Sequence, residues 1–420
     1  MIGSEADHYH PACMPVRVLM VSWEYPPVIE GGLARAVAKL SESLALDPEL
    51  EVEVHVLTRG GADTAADELL NGVHVHRVLE APRPTEMRAF MSWVRAFNDD
   101  LHARGSELLA ELDFDLVHGH DWLVAMAAKR LADSARVPFV ATVHATEYGR
   151  HQGWVYVAPQ SEIHRAERWM VHVADRVLVC SHYMRDHVAD VFDAPLEHII
   201  VAPNGIDPED LQPLPHLDMM REALAAADEQ LVLLVGRLVY EKGFQDALEA
   251  LAGPDGVIAR VGKVRFVIAG SGSHEWELKD QAKALGIADH GTFLGWIDDG
   301  VLHSLYRVAD VIVVPSRYEP FGLVALEAMA SGCPCIVADT GGLREVVPHE
   351  EAGLRFTPGD KRQLGELIGR VLSDDALRAG LAARAAEHVL TFDWGDVARS
   401  VAGIYRDLPR ADVASLSFSA

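Results

Sequence analysis

Four consecutive apolar, β-branched residues, Val311-Ile312-Val313-Val314, run directly into PSRYEPFGLVALEAMASG, Pro315 to Gly332. The run has the length and branching of a strand buried on both faces, and from Gly322 to Ala330 the apolar residues take up helical spacing. A strand therefore ends, a short loop turns and a helix begins, which is the unit of a parallel sheet covered by helices. Pro320 fits a helix start, where its missing N–H costs nothing, and Gly332 fits the stop. The first amides of such a helix, from Phe321 and Gly322 to Leu323 and Val324, lack acceptors inside it and hold phosphate well. Glu319 in the loop and Glu327 in the helix put a carboxylate on either side, suited to sugar hydroxyls. From spacing alone, the stretch is equally an ordinary strand, loop and helix with two surface glutamates.

The same alternation recurs along the chain. Strands are predicted at Val16 to Val21, Val52 to Leu57, Val73 to Val78, Leu116 to Gly119, Val137 to Val143, Arg176 to Cys180 and Ile199 to Ala202, most of them separated by amphipathic helices. The pattern breaks at PNGIDPEDLQPLP, Pro203 to Pro215, where four prolines within thirteen residues mark a linker. A second strand-helix series follows, and 420 residues are too many for one ordinary core. The expected fold is α/β, with two Rossmann-like doubly wound domains at 14–203 and 204–390. A last helix within 391–408 has no new strand to cover. Residues 1–13 are expected to be disordered and 409–420 to form a flexible tail.

Acidic residues outnumber basic ones, 63 against 37, for a formal charge of -26. Such a surface repels nucleic acid and anionic lipid. No stretch approaches the roughly 20 apolar residues of a membrane span, and the N-terminus lacks a signal pattern. Four cysteines are few for a disulfide framework in a chain of this length. These features favour a cytoplasmic enzyme without stable membrane insertion. Cys333 and Cys335 read as small buried apolar residues rather than metal ligands.

Ligands of open α/β sheets bind outside the carboxyl ends of the strands, and the candidate residues map there. Arg237 and Lys242, in GRLVYEKG after a strand, supply two cations able to stabilise a departing diphosphate. Such a pair in a loop is also a common solvated surface. Gly31 and Gly32 permit close backbone approach at a helix start, or simply make a tight turn. Gly270 and Gly272 in AGSG follow another strand, and a lone Gly-x-Gly is weak evidence. His144, in HATEYGRHQGW, follows a strand and is placed facing an interdomain cleft, where packing explains it as well as chemistry does. No Asp-x-Asp element follows a strand at a position facing that cleft, so neither metal nor cofactor is expected.

EPFGLVALE resembles the Glu-x7-Glu motif of retaining GT-B glycosyltransferases of the glycogen synthase-like family, and Gly-Arg-Leu…Glu-Lys-Gly resembles another of its signatures. MVSWEYPPVIEGGL, TVHATEYGRHQGW and PSRYEPFGLVALEAMASG together look most like actinobacterial α-glucosyltransferases acting on α-glucans. The resemblance covers about residues 14 to 408. It implies the GT-B architecture, with the last helix crossing back onto the first domain. It implies that His144 contacts the transferred sugar, that Gly31 and Gly32 wrap the donor phosphates, that Gly270 and Gly272 turn near the nucleotide, that Glu327 reaches ribose, and that Asp121 of HGHDW lies on the acceptor side. One departure is Glu30, where bacterial ADP-glucose enzymes carry a lysine. It leaves open whether the carrier is ADP, UDP or GDP. The implied partners are a nucleotide-diphosphate glucose and an α-glucan or oligosaccharide acceptor. Mannosyl or other hexosyl transfer to a lipid or small molecule shares the donor motifs. A sugar-nucleotide epimerase or a non-catalytic binder is a further class, and the epimerase lacks support in the Arg237/Lys242 and Glu319/Glu327 combination.

Overall fold

The computed structural model describes residues 15–84 and 86–409. The expectations for residues 1–13 and for the tail from 410 onward lie outside the described residues. Two sheets form the frame. The first contains β1 (Val16–Ser22), β2 (Val52–Gly60), β3 (Asp67–Leu70), β4 (Val73–Leu79), β5 (Leu116–His120), β6 (Phe139–Val143), β7 (Arg176–Val179) and β8 (Ile199–Val201), in the order β3-β4-β2-β1-β5-β6-β7-β8. The second contains β9 (Gln230–Val235), β10 (Val264–Ala269), β11 (Gly291–Gly295), β12 (Val311–Val314), β13 (Cys335–Ala338) and β14 (Leu354–Phe356), in the order β11-β10-β9-β12-β13-β14. Every pairing in the second sheet is parallel. The expected α/β fold of two doubly wound sheets is therefore the observed one.

Strand order reverses between β1 and β5 in the first sheet and between β9 and β12 in the second. At such points the loops leaving neighbouring strands diverge and open a crevice. Those four strands lead into the segments carrying Gly31-Gly32, Asp121, Arg237 and Glu319. Topology thus gathers Gly31, Gly32 and Asp121 at the switch point of one sheet and Arg237 and Glu319 at that of the other.

Three departures have local causes. The first sheet is not wholly parallel, because β3 pairs antiparallel with β4 at its edge. This four-residue strand alternates exposed and half-buried residues and has no apolar run to announce it. Its signal was the turn Asn71-Gly72, with φ of 48° and 81°, the pair that a tight hairpin requires. Pro320 does not start the helix after β12: that helix is Leu323–Ala330, preceded by Gly322 at φ 121°. Pro320 remains in the loop, and its carbonyl is used across the domain boundary. A helix at Leu217–Leu224, directly after the proline-rich linker, was not anticipated.

The last helix, Trp394–Arg406, packs against Gly32–Leu46 of the first domain, with Val397, Val401 and Ala402 buried beside Val37, Leu40 and Leu44. Tyr405 is fully covered, and its hydroxyl lies 2.7 Å from His118 Nδ1. Trp394 fits so closely on Gly205 that a Cβ there would lie 2.7 Å from the indole. No described helix is long and apolar enough to cross a membrane. Removing the indole in Trp394→Ala is expected to cost about 3–5 kcal/mol, the range for emptying a buried aromatic site. Urea unfolding followed by circular dichroism measures this, and a loss below about 1 kcal/mol would show that the helix is only loosely seated.

Candidate active site

The second domain contributes a compact charged group. Lys242 sits at the end of a short turn, and Gly243 behind it has φ 71°; a Cβ there would fall 2.0 Å from the Pro315 carbonyl. Only glycine lets this turn reach the end of β12. Lys242 Nζ consequently lies 2.8 Å from Glu319 Oε2, which also accepts from Ser316 Oγ at 2.9 Å. Gly270 and Gly272 have a related role. A Cβ on either would collide with the Gly236 or Leu238 carbonyl, so these glycines let the loop after β10 lie against the Arg237 loop. Arg237 is more exposed than Lys242 and faces Glu241 at 3.6 Å.

The helix after Gly322 begins with Leu326 donating to the Gly322 carbonyl at 3.1 Å, which leaves the amides from Leu323 to Ala325 without helical acceptors. Phe321 is buried beneath this turn. Across from it stands Gly32, where a Cβ would meet Leu323 Cδ1 at 2.8 Å. The two glycine-bearing loops of opposite domains therefore meet at this point. Gly31 and Gly32 are not equivalent, however, because the amides of Glu30 and Gly31 both donate to buried Glu24, at 2.6 and 3.1 Å. Burial raises the Glu24 carboxyl above its ordinary range. Glu30, the acidic departure, is tied to Arg59 and Arg83, and Arg59 also contacts Glu80 at 2.6 Å. A fully buried guanidinium needs this negative charge.

Glu319 and Glu327 have different side-chain partners. Glu327 is buried, accepts from Tyr306 Oη at 2.9 Å and faces Arg35 of the first domain at 3.4 Å. Burial raises its carboxyl despite the nearby Arg35.

In the first domain Asp121 adopts φ 65°, unusual for a residue with a side chain, and its Oδ1 accepts from the His144 amide at 2.8 Å. Asp121 thus fixes the loop bearing His144. The His144 ring turns inward, with Nε2 3.2 Å from His120 Nδ1, and it lines a small cavity of about 20 Å³ together with Asn204 and Trp394. Burial lowers the basicity of His144, His120 and His118, the last to about 3.

A larger cavity, about 900 Å³, lies between the domains. Of the expected site residues it touches Arg237 alone; its other walls include Trp122, Glu147, Arg150, Trp154 and Tyr240. The sequence reading passed over Arg150, Arg35 and Tyr318. Arg150 lies in the quoted HATEYGR stretch, six positions after His144, and its charge is felt at Arg237, Asp121 and Glu167. The Tyr318 hydroxyl accepts from the Thr146 amide at 3.0 Å, and Gly149 must lack a Cβ to admit its ring. Among the described residues one group could gather around a metal ion, Glu53, His55 and His74. It lies on β2 and β4 rather than at the strand ends that face the cleft, and both Glu53 oxygens already accept from Arg17.

The family described as Glycosyltransferase Family 4 matches residues 30–210, and the one described as Glycosyl transferases group 1 matches 218–388. The chain is 39% identical over 411 residues to glycogen synthase of Mycobacterium tuberculosis (strain ATCC 25618 / H37Rv), covering 94% of this chain and 96% of that protein. This chain belongs to the GT-B glycosyltransferases, in the glycogen synthase-like family. Its fold is similar to that of sucrose-phosphate synthase from Thermosynechococcus elongatus, with a TM-score of 0.79, 26% identity and coverage of 93% and 98%. It is also similar to the catalytic domain of starch synthase IV from Arabidopsis thaliana, bound to ADP and acarbose, with a TM-score of 0.71, 19% identity and coverage of 93% and 99%. The glycosyltransferase places Lys242 and Glu319 at the switch point of its second sheet and Gly31, Gly32 and Asp121 at that of its first, with the His144 loop leaving the next strand, β6.

His118 is neutral in the fold but protonates near pH 6.5 when unfolded. Its contribution to stability is therefore fully present above about pH 6.5 and is lost as pH falls toward its folded value near 3. The variant His118→Gln should show a shallower decline of unfolding free energy between pH 7 and 5 than the unaltered glycosyltransferase. Equal slopes in urea titrations would contradict the assignment.

Proposed function

We propose that the chain is a retaining, metal-independent glucosyltransferase that moves glucose from ADP- or UDP-glucose to an α-1,4-glucan. The observation that carries this reading is the Lys242–Glu319 pair at 2.8 Å on the loop that leads into the Leu323 helix, whose first residue meets Gly32 of the first domain. A diphosphate set there would meet backbone N–H groups, Lys242 and Arg237, the arrangement that stabilises charge developing on a leaving group. Glucose is favoured because the His144 and Glu319 segments resemble those of glucosyltransferases, and the M. tuberculosis relative bears the name glycogen synthase. The starch synthase IV domain of similar fold is bound to ADP and acarbose, a nucleotide and a saccharide, which is in keeping with these two classes of ligand.

On this reading the bond from the anomeric carbon to the β-phosphate oxygen breaks as an acceptor hydroxyl attacks from the same face. The departing phosphate takes the hydroxyl proton, so no carboxylate nucleophile is needed. Glu319, held by Lys242 and Ser316, orients the sugar. His144, neutral at physiological pH, offers hydrogen bonds without placing a full charge beside an oxocarbenium-like centre.

Lys242→Ala, Arg237→Ala and Glu319→Ala should each lower kcat by on the order of 10²- to 10³-fold. Glu327→Ala should act mainly on donor KM, because ribose contacts are equal in ground and transition states. It should also cost about 1–3 kcal/mol of stability by leaving Tyr306 without its acceptor. Steady-state nucleotide release with maltooligosaccharide acceptors measures the kinetics, and all four variants within a few-fold of the unaltered enzyme would remove this site. Transfer should persist in EDTA; activity lost there and restored by magnesium or manganese would remove the metal-independent reading.

A further inference from the structure

Three of four consecutive residues beyond the His144 loop hold large apolar side chains in solvent: Trp154 is 77% exposed, Tyr156 78% and Val157 74%, while Val155 between them is buried. The backbone beneath them is not loose. Gln152 and Gly153 turn the chain through φ of 52° and 89°, and the amides of Gly153 and Trp154 donate to Tyr148 and His151 at 2.8 and 2.9 Å. The side chains are therefore displayed by an ordered loop. Exposed apolar clusters of this kind mark surfaces that meet a ligand.

Position narrows the ligand. Trp154 lines the large interdomain cavity, and Tyr240, 52% exposed, lines the same cavity from the second domain. The Trp154 and Tyr156 rings lie 6.2 Å apart at 83°, so their faces address two directions, with Trp154 at the cavity wall and Tyr156 next to it. Glucose units present apolar C–H faces and hydroxyl edges, and an aromatic ring covers one such face. A formal charge of -26 opposes insertion of the loop into an anionic bilayer. Three side chains of this size offer on the order of 500 Å², short of the roughly 800 Å² per partner of a standard interface between proteins.

We infer that Trp154 and Tyr156 form a shelf that positions the α-glucan acceptor several units away from the reacting hydroxyl, leading the chain into the cleft. This deepens the proposed function and rests on its acceptor class. Glucose units of long acceptors lie on the shelf, and those of the shortest acceptors do not reach it. Acceptor length is therefore read by two residues that take no part in bond breaking.

The test measures acceptor KM for maltose through maltoheptaose. With the unaltered enzyme KM should fall with length. In Trp154→Ala and Tyr156→Ala the ratio between the longest and shortest acceptors should shrink about tenfold, a loss typical of truncating an aromatic anchor, with Trp154→Phe retaining most of it. Both positions are exposed, so thermal melting should match the unaltered protein. A length dependence that survives both alanine variants overturns the shelf, as does loss of a dimer in size-exclusion chromatography or of binding to phosphatidylserine vesicles. If the unaltered enzyme transfers to no maltooligosaccharide, the functional reading fails. The shelf is then judged by calorimetric binding of maltoheptaose to donor-free protein: binding weakened by Trp154→Ala supports it, and no binding rejects it.

Discussion

The site depends on a grip between the domains. The loop from β12 to its helix carries Glu319, and its flanking residues on both sides are held by the first domain. Tyr318 Oη accepts from the Thr146 amide at 3.0 Å, and the Pro320 carbonyl accepts from Ser181 Oγ at 2.7 Å. Glu345 adds to this by accepting the first amides of the helix His182–Phe192, His182 at 3.0 Å and Tyr183 at 2.8 Å. All these groups are polar, and several are buried, so each would carry a desolvation cost if the domains parted without water replacing the partner. The Glu319 carboxylate is thus fixed by Lys242, and its carbonyl by the Gly342 amide at 2.9 Å, on its own domain, while the residues on either side of it are held by the other.

The same logic of compensation governs the charges. A strongly acidic chain nevertheless places cations at the cleft, and each is balanced locally. Arg59 is fully buried between Glu30 and Glu80, and Arg35 bridges to Glu327 and Asp299 across the domain boundary. Lys242 is balanced by Glu319. A diphosphate approaching Lys242 and Arg237 would meet charges already oriented by their carboxylates, which is how an electrostatic site avoids reorganising at the moment of reaction. The histidines follow the opposite course. In a row from Tyr405 through buried His118 and His120 to half-buried His144, they stay neutral because the fold gives them hydrogen bonds and no counter-ion close enough to offset desolvation.

Much of this was legible in the chain. Strand positions such as Val264–Ala269, Val311–Val314 and Cys335–Ala338 follow from apolar runs, since a strand covered on both faces has no polar alternation to blur its ends. The short edge strand at Asp67–Leu70 was not, because its pairing depends on a neighbour more than on its own residues. Lys242 and Glu319 were each recognisable from their motifs, and their contact was not, as they lie 77 positions apart. Glu24, Arg35 and Arg150 carried no local signal, since an isolated charge in a sequence reads as surface.

What the sequence determined by itself was the periodic material: two series of strands and helices, a proline-rich break between them, and glycines where loops approach closely. Periodicity records which face of each element is buried, and burial is a property of neighbouring residues along the chain. The tertiary structure decided the rest. It set Glu327 against Tyr306 and Arg35 rather than beside Glu319, gave the Gly31 amide to Glu24, and turned His144 toward His120. These outcomes depend on hydrogen-bond partners and charges brought from distant segments or from the opposite domain, and no local pattern encodes which partner arrives.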